Sequence, residues 1–326
     1  MYKALKIRFS NERDISVIEN IFVHKIVLNF YNIRIIVLSD SKHVINRLKN
    51  FYFYFHEEMT SLELNITQYN TVLIYTGKNK AIFAYISRIL NLPPKLALVS
   101  VFFFDNLAYY FRDVEIQYYF SGVYIRNFII KSLFNNFIFI HGAAMSLNKK
   151  TFILPGAAAV GKTSISFLLL KEGYKLISDD IIMLERKSLK IYPFPVLMNF
   201  REYSINNIKQ LFFLKSKKPD VLLLNEKRWF YYPDKNEQEN RILSLDTVFI
   251  VQRSDENCIR KCEKTTFITE MFPHFWFPID NKIYQNSINN NLDILIYITQ
   301  NKNIYSINSN NIQLFVKYIN SVMTNI

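Results

Sequence analysis

The chain has 326 residues, half of them hydrophobic and 16% aromatic, which is enough to bury one large core or two modest ones and too apolar for a disordered polymer. Its formal charge of +13 raises nucleic acid or a membrane surface as partners, yet the basic residues are scattered and the longest cluster, Lys215, Lys217 and Lys218, is short. That spread argues against nucleic acid and suits an anionic ligand such as a nucleotide or an acidic peptide. Cys258 and Cys262 have no further thiol or imidazole near them in sequence, so they read as free thiols of a reducing cytosol and not as zinc ligands. The opening MYKALKIRFSNERD lacks an apolar h-region, and no run approaches 18 uncharged apolar residues. A cytoplasmic protein without a membrane span is therefore expected.

In chain order, Lys25 to Ser39 predicts two strands separated at Tyr31-Asn32. Ser41 follows as an N-cap for a helix whose apolar face is Val44, Ile45, Leu48, Phe51 and Tyr52. Leu62 to Thr76 predicts two more strands broken at Gln68-Tyr69-Asn70, and Pro93-Pro94 marks a break. His24, His43 and His56 are isolated and read as packed or surface histidines. An aromatic segment from Tyr109 to Phe137 contains a predicted helix from about Gly122 to Asn135. The runs FIFIHGAAMSL and TFILPG flank Asn148-Lys149-Lys150 as a β-hairpin. After it come a helix over Thr163 to Lys171 closed by Gly173, and a strand over Tyr174 to Ser178. A hairpin around Lys187-Ser188 and a rigid turn at Pro193-Phe194-Pro195 follow. Leu211 to Tyr232 is undecided; Asp246 to Gln252 reads as a strand and Asn311 to Met323 as a helix. The order of elements predicts an α/β fold: a mixed-sheet catalytic domain over 126–326, preceded by an α+β region over 1–125. That first region shows no catalytic spacing and is expected to help present a substrate.

The chemistry concentrates between His141 and Asp180. Gly156-Ala157-Ala158-Ala159-Val160-Gly161-Lys162-Thr163 fits the phosphate-loop pattern G-x-x-x-x-G-K-[ST], with a strand before it and a helix after it. Backbone N–H groups in such a loop converge on phosphate oxygens at a helix N-terminus, the lysine reaches the outer phosphates, and the threonine hydroxyl holds Mg²⁺. Of the six glycines in the chain, Gly142, Gly156, Gly161 and Gly173 fall in this stretch, where backbone geometry demands them. Asp179 and Asp180 arrive at the end of the very next strand. Successive strand residues face opposite ways, so one carboxylate can approach Mg²⁺ while the other receives a proton from an acceptor hydroxyl. ATP and Mg²⁺ are the cofactors this implies. A nucleotide-binding sensor or scaffold without turnover is the alternative, although it would have no need of a base.

His141-Gly142, the loop at 156–163, Ser178-Asp179-Asp180 and the Pro193–Pro195 turn together resemble the HPr kinase/phosphorylase family. They look still more like the shorter HPr-kinase-like enzymes of modified-peptide biosynthesis, the lasso-peptide precursor kinases among them. The resemblance covers about residues 136–200 and implies an HPr kinase/carboxykinase-like fold. It also implies a serine kinase acting on a peptide or small protein, specifically a ribosomally made precursor peptide. By it, Asp180 is the base, Asp179 assists the metal with Thr163, and His141 sits near the acceptor and orients the base. Arg201 is a candidate for charge stabilisation at the transferring phosphate. Ala158 and Ala159 stand where the family often carries Ser and Gly, and Met198-Asn199-Phe200-Arg201-Glu202 replaces its glycine-rich signature. Whether the chain forms a homo-oligomer stays open in the sequence.

Overall fold

The computed structural model describes residues 5–6, 22–31, 33–52, 55–57, 70–75, 100–104, 107–111, 125–126, 128–194, 196–217, 219–223, 226–276 and 281–324. Two compact units emerge, one of Met1–Ile129 with Val221–Leu224, the other of Ile130–Asp220 with Asn225–Ile326.

In the first unit, strands β1 (Leu5–Lys6), β2 (His24–Phe30), β3 (Ile33–Ser39), β4 (His56–Glu57), β5 (Asn70–Tyr75), β6 (Ser100–Phe104) and β7 (Leu107–Phe111) form one sheet. Their order is β1-β7-β6-β5-β3-β2-β4. β2 and β3 are the expected hairpin, with Phe30 opposite Ile33 and Tyr31 at φ 58° in the turn. Ile35, Ile36, Val37 and Leu38 are all buried, as in a strand covered on both faces. Helix α1 (Lys42–Phe51) adds Val44, Ile45 and Leu48 to that core. Ser41 occupies its N-cap position, but its side chain makes no capping bond; instead its own amide donates to the Ser39 hydroxyl at 3.1 Å. One of the strands expected in Leu62–Thr76 is β5; the other and the Pro93-Pro94 break lie outside the described residues. The helix expected near 122–135 is seen over residues 125–126 and 128–133.

The second unit is built around β8 (Phe137–Leu147), the central strand of a ten-stranded mixed sheet. It turns through Asn148-Lys149, both at positive φ, into β9 (Lys150–Pro155). That two-residue turn matches the strand twist and fixes the register Leu147 to Lys150. Helix α2 (Lys162–Lys171) follows, then β10 (Lys175–Ser178), β11 (Ile181–Glu185) and β12 (Lys190–Tyr192). Next come β13 (Met198–Arg201) and α3 (Glu202–Asn207); the stretch that the sequence left undecided, Leu211 to Tyr232, holds α4 (Phe212–Lys215), β14 (Val221–Leu223), which belongs to the first unit, and β15 (Glu226–Tyr231). The chain continues with β16 (Leu243–Ser244), β17 (Thr247–Gln252), β18 (Cys258–Lys261), α5 (Lys264–Met271), β19 (Phe275–Trp276), α6 (Asn281–Asn301), β20 (Asn303–Asn308) and α7 (Ile312–Met323). Neighbours in the sheet run β16-β12-β11-β8-β9-β17-β20-β18, with β10 and β19 also pairing with β8.

Alternation along β8 and β9 sends Ala143, Met145, Phe152 and Leu154 to one face and Ile140, Ala144 and Ile153 to the other. The first face packs on Phe167 and Leu169 of α2 and on Phe315 and Ile319 of α7. The second packs on Phe267 and Met271 of α5 and on Leu295 and Ile298 of α6. With helices on both sides the strands are apolar throughout, which is why they read as continuous hydrophobic runs. α2 is enclosed nearly all round, including Ser164 and Ser166, so its sequence lacks a polar face. Among the described residues no helix is long and apolar enough to cross a membrane.

Candidate active site

β8 changes partners at its midpoint. On one edge β10 pairs with residues 144–146 and β11 with residues 137–141, and the chain passes between them through Asp179-Asp180. On the other edge β9 runs along β8 as far as Gly142, opposite Pro155, and β19 begins opposite Ile140. The loop 156–161 leaves the sheet at this switch, and His141 lies within it. Gly142 has no room for a side chain: a Cβ there would lie 2.6 Å from the Leu154 carbonyl oxygen and 2.7 Å from the Ile182 side chain. Three strands meet there because the residue is glycine.

Ala157, Ala158 and Ala159 are exposed, with Ala159 at φ 67°, while Val160 is buried and anchors the loop. Gly161 adopts φ 108°, and a Cβ on it would come within 2.9 Å of Ile312 and 3.0 Å of the Arg253 guanidinium. The left-handed backbone favours glycine here, and a side chain would push the ends of Ile312 and Arg253 aside. Lys162, 7% exposed, folds back on the loop and donates to the carbonyls of Gly156 and Ala157, each at 2.7 Å. Burial lowers its ammonium to about 8, against the pull of Asp179 and Asp180.

Thr163, the second residue of α2, donates its hydroxyl to Asp179 at 3.0 Å. Asp179 is 2% exposed. Burial, and then the neighbouring Asp180 carboxylate, raise it to about 7, while Thr163 and Lys162 oppose the shift. Asp180 faces the other way: it is half-exposed, and its carboxylate lies 3.4 Å from His141 Nε2. The two acids do diverge, but not through strand pleating as expected from the sequence. They form a bend between β10 and β11 in which Asp180 takes φ 70°, a left-handed conformation that aspartate tolerates better than most residues. Ser178 locks the bend, its hydroxyl bonding to the carbonyls of Ile181 and of Phe194, the latter at 3.0 Å. Phe194 in turn donates its amide to the Ile177 carbonyl at 3.1 Å. The expected turn at Pro193-Phe194 thus buttresses the acids; Pro195 lies outside the described residues.

Thr163 and Asp179 offer hard oxygen donors side by side, a set that fits Mg²⁺. Among the described residues no three of His, Cys, Asp and Glu cluster as a protein-only metal cage. Mg²⁺ held partly by nucleotide phosphates and water needs no such cage.

Arg201 stands at the end of β13 with an exposed side chain, 3.5 Å from Glu226, its described ion-pair partner. Two residues that the sequence did not single out stand at the site instead. Arg253, just past the end of β17, reaches the Asn310 carbonyl at 2.7 Å and lies against Gly161. Its signal was its place one residue beyond a predicted strand, since strand ends are where open α/β sheets bind ligands. His274 closes a 3₁₀ turn (Phe272–His274) immediately before β19. More than a hundred residues separate it from the loop, and no local motif marks it.

No family model matches the sequence, and no curated protein matches it. Among solved structures the chain is similar to the Hpr(Ser) kinase/phosphatase from Coxiella burnetii, at 10% identity over 58% of this chain and 99% of that one, with a TM-score of 0.28. The site is defined by its own geometry. It consists of a mixed α/β unit in which a strand–loop–helix turn sets a buried lysine and threonine beside two divergent carboxylates.

Proposed function

We propose that this chain is an ATP-dependent kinase that transfers the terminal phosphoryl group to a serine or other hydroxyl of a peptide or small protein, a ribosomally made precursor peptide being the preferred acceptor. The observation that carries the reading is the division of labour between adjacent acids. Asp179 is buried against Thr163 and within the field of Lys162, and Asp180 is turned outward beside His141. A sensor would need the first acid but not the second.

In this reading the amides of Gly156 to Thr163 bind the phosphates, and Lys162 leaves its two loop carbonyls to bind the outer ones. Thr163 and Asp179 would hold Mg²⁺. When bound, Mg²⁺ neutralises phosphate charge and polarises the group being transferred. Asp180 accepts the proton of the acceptor hydroxyl as its oxygen bonds to the γ-phosphorus. The bond from that phosphorus to the bridging oxygen breaks, and ADP departs. His141, 3.4 Å away, orients the Asp180 carboxylate. Arg253 is poised at Gly161 to approach the phosphates from the far side of the loop. The first unit, whose sequence shows no catalytic spacing, would help to present the acceptor.

The test is incubation of the full chain with Mg²⁺ and ATP labelled at the γ-phosphate, together with serine-containing peptides. A labelled, alkali-labile phosphopeptide supports the kinase. Tight nucleotide binding with no transfer to any acceptor supports the sensor.

A further inference from the structure

The partner switch along β8 brings a second histidine to the first. β19 pairs Phe275 with Ile140 and Trp276 with Phe139, so the residue preceding it, His274, stands across from His141. The same edge position is where β9 departs, since Gly142 is its last pairing, opposite Pro155. The next residue of that chain is Gly156, whose carbonyl holds the Lys162 ammonium. His274 therefore stands where the phosphate loop leaves the sheet, beside the acceptor-side histidine.

Electrostatics agree with the placement. Burial pushes the His274 imidazole down to about 4, helped by the charges of Lys162 and then of His141. One of these groups belongs to the phosphate side and the other, through Asp180, to the acceptor side. A second fixed cation here would repel Lys162. A neutral imidazole adds a hydrogen-bond donor without that repulsion.

Building on the nucleotide-binding role of the loop, we propose that His274 contacts the terminal phosphoryl group of the bound nucleotide and donates a hydrogen bond to it, so that the site distinguishes a triphosphate from a diphosphate. Its position between the two sides is the path the phosphoryl group must cross. His274 holds that group in line; Asp180 remains the proton acceptor.

The experiment measures the affinities of Mg·ATP and Mg·ADP by calorimetry on the full chain, for the wild type, His274→Ala and His274→Gln. Losing a hydrogen bond to a charged group is expected to weaken Mg·ATP by about tenfold or more. Mg·ADP affinity stays unchanged, and the glutamine variant, which keeps a donor and most of the packing volume, recovers part of the loss. Equal weakening of both nucleotides in the glutamine variant marks a structural role and overturns the proposal. So does an unchanged ATP-to-ADP preference in both variants. Should His274→Ala fail to fold, the glutamine variant decides alone, by whether its ATP-to-ADP preference shifts. A wild type that binds neither nucleotide removes the nucleotide reading, and this inference with it; a wild type that binds both, with indifferent variants, removes this inference only.

Discussion

The Thr163 hydroxyl meets the Asp179 carboxylate at 3.0 Å, joining the first turn of α2 to the end of the following strand. The short return of the chain makes this possible: Gly173 ends the helix, and β10 runs back beside β8 with Lys175 opposite Ser146. Val substituted for Thr163 keeps the volume and removes the oxygen. Thr163→Val is expected to weaken nucleotide binding about tenfold in Mg²⁺ and to leave binding in chelator unchanged, because only the metal-bridged contribution is lost. Calorimetry with and without Mg²⁺ checks this, and equal losses in both conditions would remove Thr163 from the metal site.

Asp179 also sets a pH dependence of stability. Its carboxyl moves from 3.8 to about 7 on folding, so between those values the folded chain holds a proton that the unfolded chain releases. Stability from this group is fully present below pH 4 and is lost as pH rises through about 7. Asp179→Asn removes the ionisation, so the ligand-free variant is expected to melt above the wild type at pH 8, with the gap closing towards pH 5. A variant less stable than the wild type at pH 8 would show that the buried carboxylate is compensated in the folded chain.

Two glycines separate backbone strain from function. Gly161 at φ 108° faces Ile312 and Arg253 within about 3 Å, whereas Gly173 at φ 91° has open space around it. Gly173 closes α2, its amide bonded to the Leu170 carbonyl at 3.2 Å and the next amide to Leu169. Alanine at either position costs about 1–2 kcal/mol in left-handed backbone. Only Gly161→Ala is expected to lower nucleotide affinity as well, since it displaces Arg253 and the loop. Matched Tm losses with affinity lost in Gly161→Ala alone support this; unimpaired binding by Gly161→Ala contradicts it.

The elements most legible in the sequence are those governed by local chemistry. The polar pair Asn148-Lys149 announces a hairpin turn, whose positive φ asparagine tolerates better than most residues, and Asn311 caps α7 as its side chain accepts from the Gln313 amide. The loop, Lys162, Thr163 and the two acids are legible because they sit within 25 residues on one strand–loop–helix–strand unit. What escapes depends on sheet order. The divergence of Asp179 and Asp180 comes from a left-handed bend that Ser178 and Phe194 hold, and no alternation pattern encodes it. His274 and Arg253 reach the site through β19 and β17, whose pairings are long-range. Arg201 follows the acids closely in sequence, which suggests proximity, but the β13–β15 pairing sets it beside Glu226.

The sharpest prediction concerns Asp180. Asp180→Asn keeps the shape and the bend, since asparagine also accepts positive φ, but it cannot take a proton from an acceptor hydroxyl. Loss of a general base costs on the order of 10²–10⁴ in rate. Mg·ATP affinity is expected to hold, because Lys162 and the loop carry it and Asp180 is turned towards His141. Lys162→Ala supplies the opposite pattern: the fold persists, since a buried ammonium already held down to about 8 contributes little to stability, while nucleotide affinity collapses. His141→Gln lies between them, slowing transfer less than Asp180→Asn without altering Mg·ATP binding. Affinity and single-turnover transfer to a serine-containing peptide, measured on all three variants, separate these roles. Transfer by Asp180→Asn at the wild-type rate would exclude it as the base, and Lys162→Ala that binds and turns over ATP like the wild type would remove the phosphate loop from the reading altogether.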